Sequence, residues 1–194
     1  MQSILRAAGY SLLVTWMVYL LENAFSLDKQ TAGTMNMYPL IGVVLGSLSG
    51  GIVVDLLLKL TGSKRLSRSG LAVVVLGLCG VFTVLAARET GSIGFVNLMS
   101  VAAFFFGLSQ PAAWSATLDV AGRNTSVVMG TMNMAGCIGA FWLPVGVGYL
   151  IDWIEASGGD WNLVIYLTAA VHFAAAVSWL FVNPNDTTII GDQT

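Results

Sequence analysis

The sequence predicts an all-α membrane protein with six transmembrane helices, and composition, span length and residue pattern carry that prediction. Hydrophobic residues make up 56% of the 194 and charged residues 9%, with a mean hydropathy of +0.81. A soluble domain carries about 25% charged residues. A chain this apolar has too little polar surface to face water, so lipid is its solvent. Six apolar stretches each approach the roughly 20 residues that cross a bilayer. They are rich in Leu, Val and Ala without strand-like alternation. In hydrocarbon the backbone must satisfy its own hydrogen bonds, which makes each of them a helix.

The spans fall at about 5–21, 34–56, 69–87, 93–116, 126–151 and 163–182. The first is short, but it lacks a clear cleavage site and five spans follow, so it reads as a helix and not as a signal peptide. Its Tyr10, Trp16 and Tyr19 either line a cavity or form an interfacial aromatic belt. The second carries Gly42, Gly46 and Gly50 on one face, a spacing that admits close approach by another helix. The fourth contains SQPAAWS, in which Ser109, Gln110 and Trp114 surround Pro111. That proline removes a backbone donor and frees a carbonyl for a ligand or a neighbouring side chain. The fifth has Gly130, Gly136, Gly139, Gly146, Gly148 and an internal Pro144, a pattern for bending or for static close packing. Its Asn133 offers donors and an acceptor suited to sugar hydroxyls, to a carboxylate, or to a plain interhelical hydrogen bond. His172 in the last span has no acid near it in sequence and reads as a packing histidine over a proton relay. Cys79 and Cys137 lie in apolar runs and read as buried structural thiols.

The loops set the orientation. Lys59, Lys64, Arg65 and Arg68, half of the eight Lys and Arg, crowd the segment after the second span, and Arg123 follows the fourth. The alternate loops hold Lys29 and Arg88, each beside an acid, and the loop after the fifth span has Asp152, Glu155 and Asp160 without a base. Positive residues stay on the cytoplasmic side, so the second and fourth loops and both chain ends are expected there. The glycosylation patterns at Asn124 and Asn185 would then go unmodified. Residues 1–184 form one six-helix unit, and 185–194 form a cytoplasmic tail. A net charge of −2 gives no reason to expect nucleic acid. The spans contain no cluster of His, Glu and Asp, no nucleotide-binding glycine loop and no nucleophile with a base. An enzyme, a cofactor and a bound metal are therefore not expected.

Two stretches resemble a known family. Gly51-x-x-x-Asp55 followed by the basic loop is similar to the loop signature of the major facilitator superfamily, in its second-half copy. Trp114, Asp119, Gly130, Asn133, Gly136, Pro144 and Gly148 resemble the pattern of its anion:cation symporter branch, which includes hexuronate, galactonate and tartrate transporters. VTWMVYL in the first span is similar to that branch's T-W-x-P-x-Y-L, with Met17-Val18 in place of the proline-containing pair. Cys137 stands where many relatives have a second asparagine.

The resemblance implies a C-terminal half of a twelve-helix transporter, built from two inverted three-helix repeats at about 1–90 and 91–184. It implies a small organic anion, such as a sugar acid or carboxylate, bound at the midplane and moved by alternating access with a co-transported proton or sodium. The other wall would come from a missing N-terminal six-helix half or a second subunit. The setting would be the cell (inner) membrane. Gln110, Trp114 and Asn133 are expected to face substrate, with Tyr38 and Tyr10 as further candidates. Asp55 with Lys64, Arg65 and Arg68 is expected either to hold a cytoplasmic gate or to form a local salt bridge within a topology anchor. Asp119 and Arg123, four residues apart, are expected to brace each other. The alternative is a non-transporting six-helix protein that assembles with or regulates a membrane partner, and beyond it an apolar scaffold bundle.

Overall fold

The computed structural model describes residues 1–185; most of the expected tail lies outside them. The described chain is helical almost throughout, with α1 (Gln2–Thr15), α2 (Met17–Ala24), α3 (Lys29–Thr61), α4 (Leu71–Ala86), α5 (Ser92–Ala121), α6 (Thr125–Ser157) and α7 (Asn162–Trp179). A single π-helical turn, Leu66–Gly70, leads into α4. The six expected spans correspond to α1 with α2, α3, the π turn with α4, α5, α6 and α7. Ser92–Ser157 runs as 66 nearly continuous helical residues. At 1.5 Å per residue that is roughly 99 Å, about three bilayer cores, so it must fold back. It does so at Gly122, whose φ of 49° and ψ of −123° end α5.

The first span departs from the expected straight helix: α1 and α2 meet at Trp16 with a bend of 49°. No proline or glycine stands there. Instead the Trp16 indole N–H donates to the Pro144 carbonyl of α6 at 3.1 Å. The kink is set by packing against a neighbour and not by a local breaker. At the same end, Asp28 caps α3 by accepting from the Thr31 amide at 3.0 Å. Hydrogen bonds from the Thr31 hydroxyl and amide hold this exposed carboxyl below the usual carboxylate range.

The largest interface joins α3 to α5, followed by α4 with α5, α1 with α6, and α4 with α7. It is a contact of backbones. A Cβ on Gly46 would stand 2.1 Å from the Phe104 carbonyl oxygen, and one on Gly42 2.6 Å from that of Ser100. From the other side, a Cβ on Gly107 would meet the Val43 oxygen at 2.3 Å. Pro111 cannot donate to the carbonyl four residues back, which is that of Gly107. The Ser47 hydroxyl of α3 donates to it at 3.3 Å, so the freed acceptor serves packing. The remaining core is apolar and small in the middle, with Ala72, Leu76, Cys79, Ala102, Ala113 and Trp179 buried where α4, α5 and α7 meet.

The basic loop is tied to the far half of the chain. Lys64 Nζ lies 3.0 Å and Arg68 Nε 3.1 Å from the two oxygens of Asp119, at the end of α5. Arg68 also donates to the Ser67 hydroxyl, which in turn donates to the Val54 carbonyl of α3 at 2.6 Å. This corrects two expectations. Asp119 does not pair with Arg123, because α5 ends at Ala121 and Gly122 turns the chain, which destroys the four-residue helical spacing. Asp55 does not pair with Lys64, Arg65 or Arg68. Its neighbour Val54 faces the loop, which leaves Asp55 about 100° around the helix and exposed. Cys137 is likewise exposed, not buried, because Gly136 and Gly139 take the face of α6 toward α1.

Two outcomes follow for unfolding of the intact polypeptide in mixed micelles. Gly46→Ala should cost roughly 1–3 kcal/mol, as backbones must part to admit the methyl. Gly33→Ala, with nothing within 4 Å of its Cβ, should be neutral or stabilising by up to about 1 kcal/mol. Equal effects would show that α3 and α5 are not in backbone contact. At the basic end, Asp119→Ala should lower stability by about 3 kcal/mol, because it strands the buried Arg68. Lys64→Ala, whose side chain is 48% exposed, should cost under about 1 kcal/mol. A larger effect at Lys64 would place the energy of this cluster at its surface.

Candidate functional site

The packing of α5 on α3 fixes which residues α5 turns the other way. Gly107, Leu108 and Pro111 lie on α3, while Phe106 and Gln110, four apart, reach α1 from another side of α5. Opposite them, α1 presents Tyr10 and Arg6, also four apart. The Tyr10 ring stacks on Phe106 with centroids 5.6 Å apart and planes within 6°. One turn nearer the basic end, Arg6 Nη1 donates to Gln110 Oε1. The backbones of α1 and α5 stay apart, so these side chains bridge a cleft. Trp114 lies one turn beyond Gln110 along α5 and is 37% exposed.

Arg6 was not among the residues singled out from sequence. It is half-buried, and its Nε has no hydrogen-bond partner among the described residues. A signal was present, since Arg6 is the sole Lys or Arg within the first apolar stretch. Its position near the start of a short span let it pass as a flanking charge. Its partner is 104 residues away in sequence, which no local pattern reveals.

The third helix of this face is α6. Met132 turns inward, where its sulfur accepts from Thr117 of α5 at 3.2 Å and from Gln2 of α1 at 3.6 Å. Gly139 lets α1 approach so closely that a Cβ there would stand 2.0 Å from the Ile4 carbonyl oxygen. Asn133, next to Met132, is exposed and makes no side-chain hydrogen bond among the described residues. Tyr38 lies elsewhere. It is 58% exposed on α3, beside Asn97, Ser100 and Phe104. Asn97 is 13 residues from Gln110, about 20 Å along α5. Ser109 is buried and donates to its own helix at the Phe106 carbonyl, 2.6 Å away. His172 is 5% exposed and meets Phe106 edge-on at 6.0 Å, walled in by Gly9, Thr83 and Thr168. Trp16 and Tyr19 are occupied by α6, Trp16 through Pro144 and Tyr19 by donating to Glu155.

The structure therefore brings Tyr10 and Gln110 together with Arg6 between α1 and α5, leaves Trp114 one turn along α5 and Asn133 exposed on α6, and leaves Tyr38 in a separate groove. The Asp55, Lys64, Arg65, Arg68, Asp119 and Arg123 group lies at one end of the bundle, where Lys64, Arg68 and Asp119 form a single cluster. Among the described residues, three or more His, Cys, Asp or Glu side chains nowhere converge as a metal site would require.

Comparison with known proteins shows the family. The family model of the Major Facilitator Superfamily matches residues 2–191. A probable sulfoacetate transporter of Cupriavidus necator is 32% identical over 91% of this chain and 40% of its own length. A probable L-galactonate transporter of Escherichia coli is 26% identical over 88% of this chain and 37% of its own. A probable galactarate/D-glucarate transporter of the same organism is 28% identical over 86% and 36%. The chain thus spans well under half the length of the curated relatives it matches. With apolar helices that bury their small residues against one another and a family match over nearly all its length, this integral, multi-pass membrane chain belongs to the Major Facilitator Superfamily.

Proposed function

We propose that the chain forms one wall of a secondary transporter for small organic anions, with Gln110, Trp114 and Asn133 facing the substrate and Tyr10 beside them. The observation that carries this reading is the polar pair between α1 and α5, where Arg6 and Gln110 meet beside the stacked rings of Tyr10 and Phe106, with Trp114 exposed one turn along α5. An apolar bundle has no packing reason to place these groups on an open side. The relatives' names support an acid as cargo, since they read probable sulfoacetate, L-galactonate and galactarate/D-glucarate transporters.

The contact pattern supports two three-helix repeats. Exchanging the first three spans for the last three turns the α3–α5 contact into α6–α1, turns α4–α5 into α7–α1, and leaves α4–α7 unchanged. Repeats of this kind rock against a partner unit to alternate access. A second six-helix unit, in the same polypeptide or another, would supply the facing wall and the acid that couples transport to a proton or sodium. Both ends of the six-span unit would lie in the cytoplasm of a cell whose inner membrane holds the protein. The Lys64–Arg68–Asp119 cluster and the exposed Asp55 would then sit at the cytoplasmic gate, with Arg65 and Arg123 available to the partner unit.

The intact polypeptide, reconstituted in proteoliposomes, should take up at least one of labelled sulfoacetate, L-galactonate and D-glucarate. Trp114→Ala and Asn133→Ala should each lower the initial rate roughly tenfold, the loss that about 1.4 kcal/mol of binding represents, while membrane insertion stays normal. Uptake of none would favour a non-transporting assembly partner, and unchanged uptake in both variants would remove these side chains from the site.

A further inference from the structure

We infer that Arg6 is the counter-charge for the substrate's anionic group, with the Gln110 carboxamide as its co-ligand. The inference rests on the transporter reading of the same face, and it adds the residue that supplies the charge.

A cation within a membrane span requires a partner. Asp119, the acid toward the same end of α5, is committed to Lys64 and Arg68. Arg6 meets instead a neutral amide oxygen. A guanidinium has five N–H donors in a rigid fork. One engages Gln110, and Nε is buried without a partner among the described residues. Such an arrangement is left short of acceptors and of negative charge. A carboxylate or sulfonate supplies both, with paired oxygens that match the fork. Because Gln110 directs its oxygen at Arg6, its NH2 end remains to donate to the same anion.

Arg6 is also not placed as a snorkelling charge would be. A snorkelling side chain runs toward the nearest interface. This one reaches across the cleft to Gln110, 11 residues before the end of α5 at Ala121, which is about 16 Å of helix. The single charge predicts preference for anions over neutral sugars of similar size.

Binding of sulfoacetate, L-galactonate and D-glucarate to the purified intact polypeptide, read as ligand-induced shifts in Tm with galactose as the neutral control, tests the assignment. Arg6→Gln should raise Kd for the bound anion by roughly 30-fold or more, the usual loss when one side of a desolvated charge pair is removed. Arg6→Lys should lose less. Gln110→Glu gives Arg6 an internal counter-ion, so it should raise the unliganded Tm and weaken anion binding at once. If Arg6 only braced α1 against α5, Arg6→Gln would lower the unliganded Tm and leave Kd unchanged; that result, or unchanged Kd in Gln110→Glu, overturns the assignment while leaving the transporter reading intact. A wild-type protein that neither binds nor transports any of the three anions overturns both.

Discussion

The backbone contact between α3 and α5 is the constraint on which the rest of the bundle depends. Lipid offers apolar helices no hydrophobic reason to associate, so close packing and hydrogen bonds must do it. Here three glycines of α3 lie against carbonyls of α5, and Gly107 of α5 lies against Val43 of α3. A fit from both sides leaves neither helix free to rotate. Ser47 seals it by donating to the carbonyl that Pro111 leaves without a partner. Rotation of α5 then determines what it presents to α1, including Phe106 and Gln110. The same device recurs where Gly139 meets Ile4, which fixes α1 on α6 and so aims Arg6 and Tyr10 into the cleft.

Charge is organised by the same economy of contacts. Asp119 satisfies two cations at the basic end and closes a chain of hydrogen bonds running through Arg68 and Ser67 to the backbone of α3. The cluster therefore joins the π turn, α3 and α5 at one point. It pins the loop between the second and third spans to the end of the fourth, so the ion pair is a mechanical link between those segments as well as an electrostatic one.

Much of this was legible in the sequence, and the failures have physical causes. Span number and position follow from hydropathy because hydrocarbon forbids unpaired backbone, a rule that acts on each segment separately. The glycine face of α3 follows from helical spacing. What the sequence does not display is any contact between distant segments. The bend at Trp16 comes from Pro144 on another helix. Asp119 has a cation four residues on, yet a turn at Gly122 removes that geometry and delivers two cations from another loop. Asp55 stands one residue from the buried Val54 and therefore points away. Cys137 follows the same logic beside Gly136. Of the candidate site, the α5 and α6 residues were readable from motif, whereas Arg6 gains its meaning from a pairing across 104 residues.

A division of labour between side chains and backbone follows. Where α3 meets α5 and α1 meets α6, glycines at the closest points remove the side chains, and backbone atoms carry the contact. Side chains are thereby absent from those closest points, whereas Arg6, Tyr10, Phe106 and Gln110 meet where the backbones diverge, between α1 and α5. Tyr10 on Phe106 and Arg6 on Gln110 span that gap without filling it. A methyl group added in a seam would thus disturb the cleft indirectly, by rotating a whole row of side chains. A change within the cleft would leave the seams in place. Rigidity and polarity occupy different faces of the same helices, which allows the residues of the cleft to vary without rebuilding the bundle that presents them.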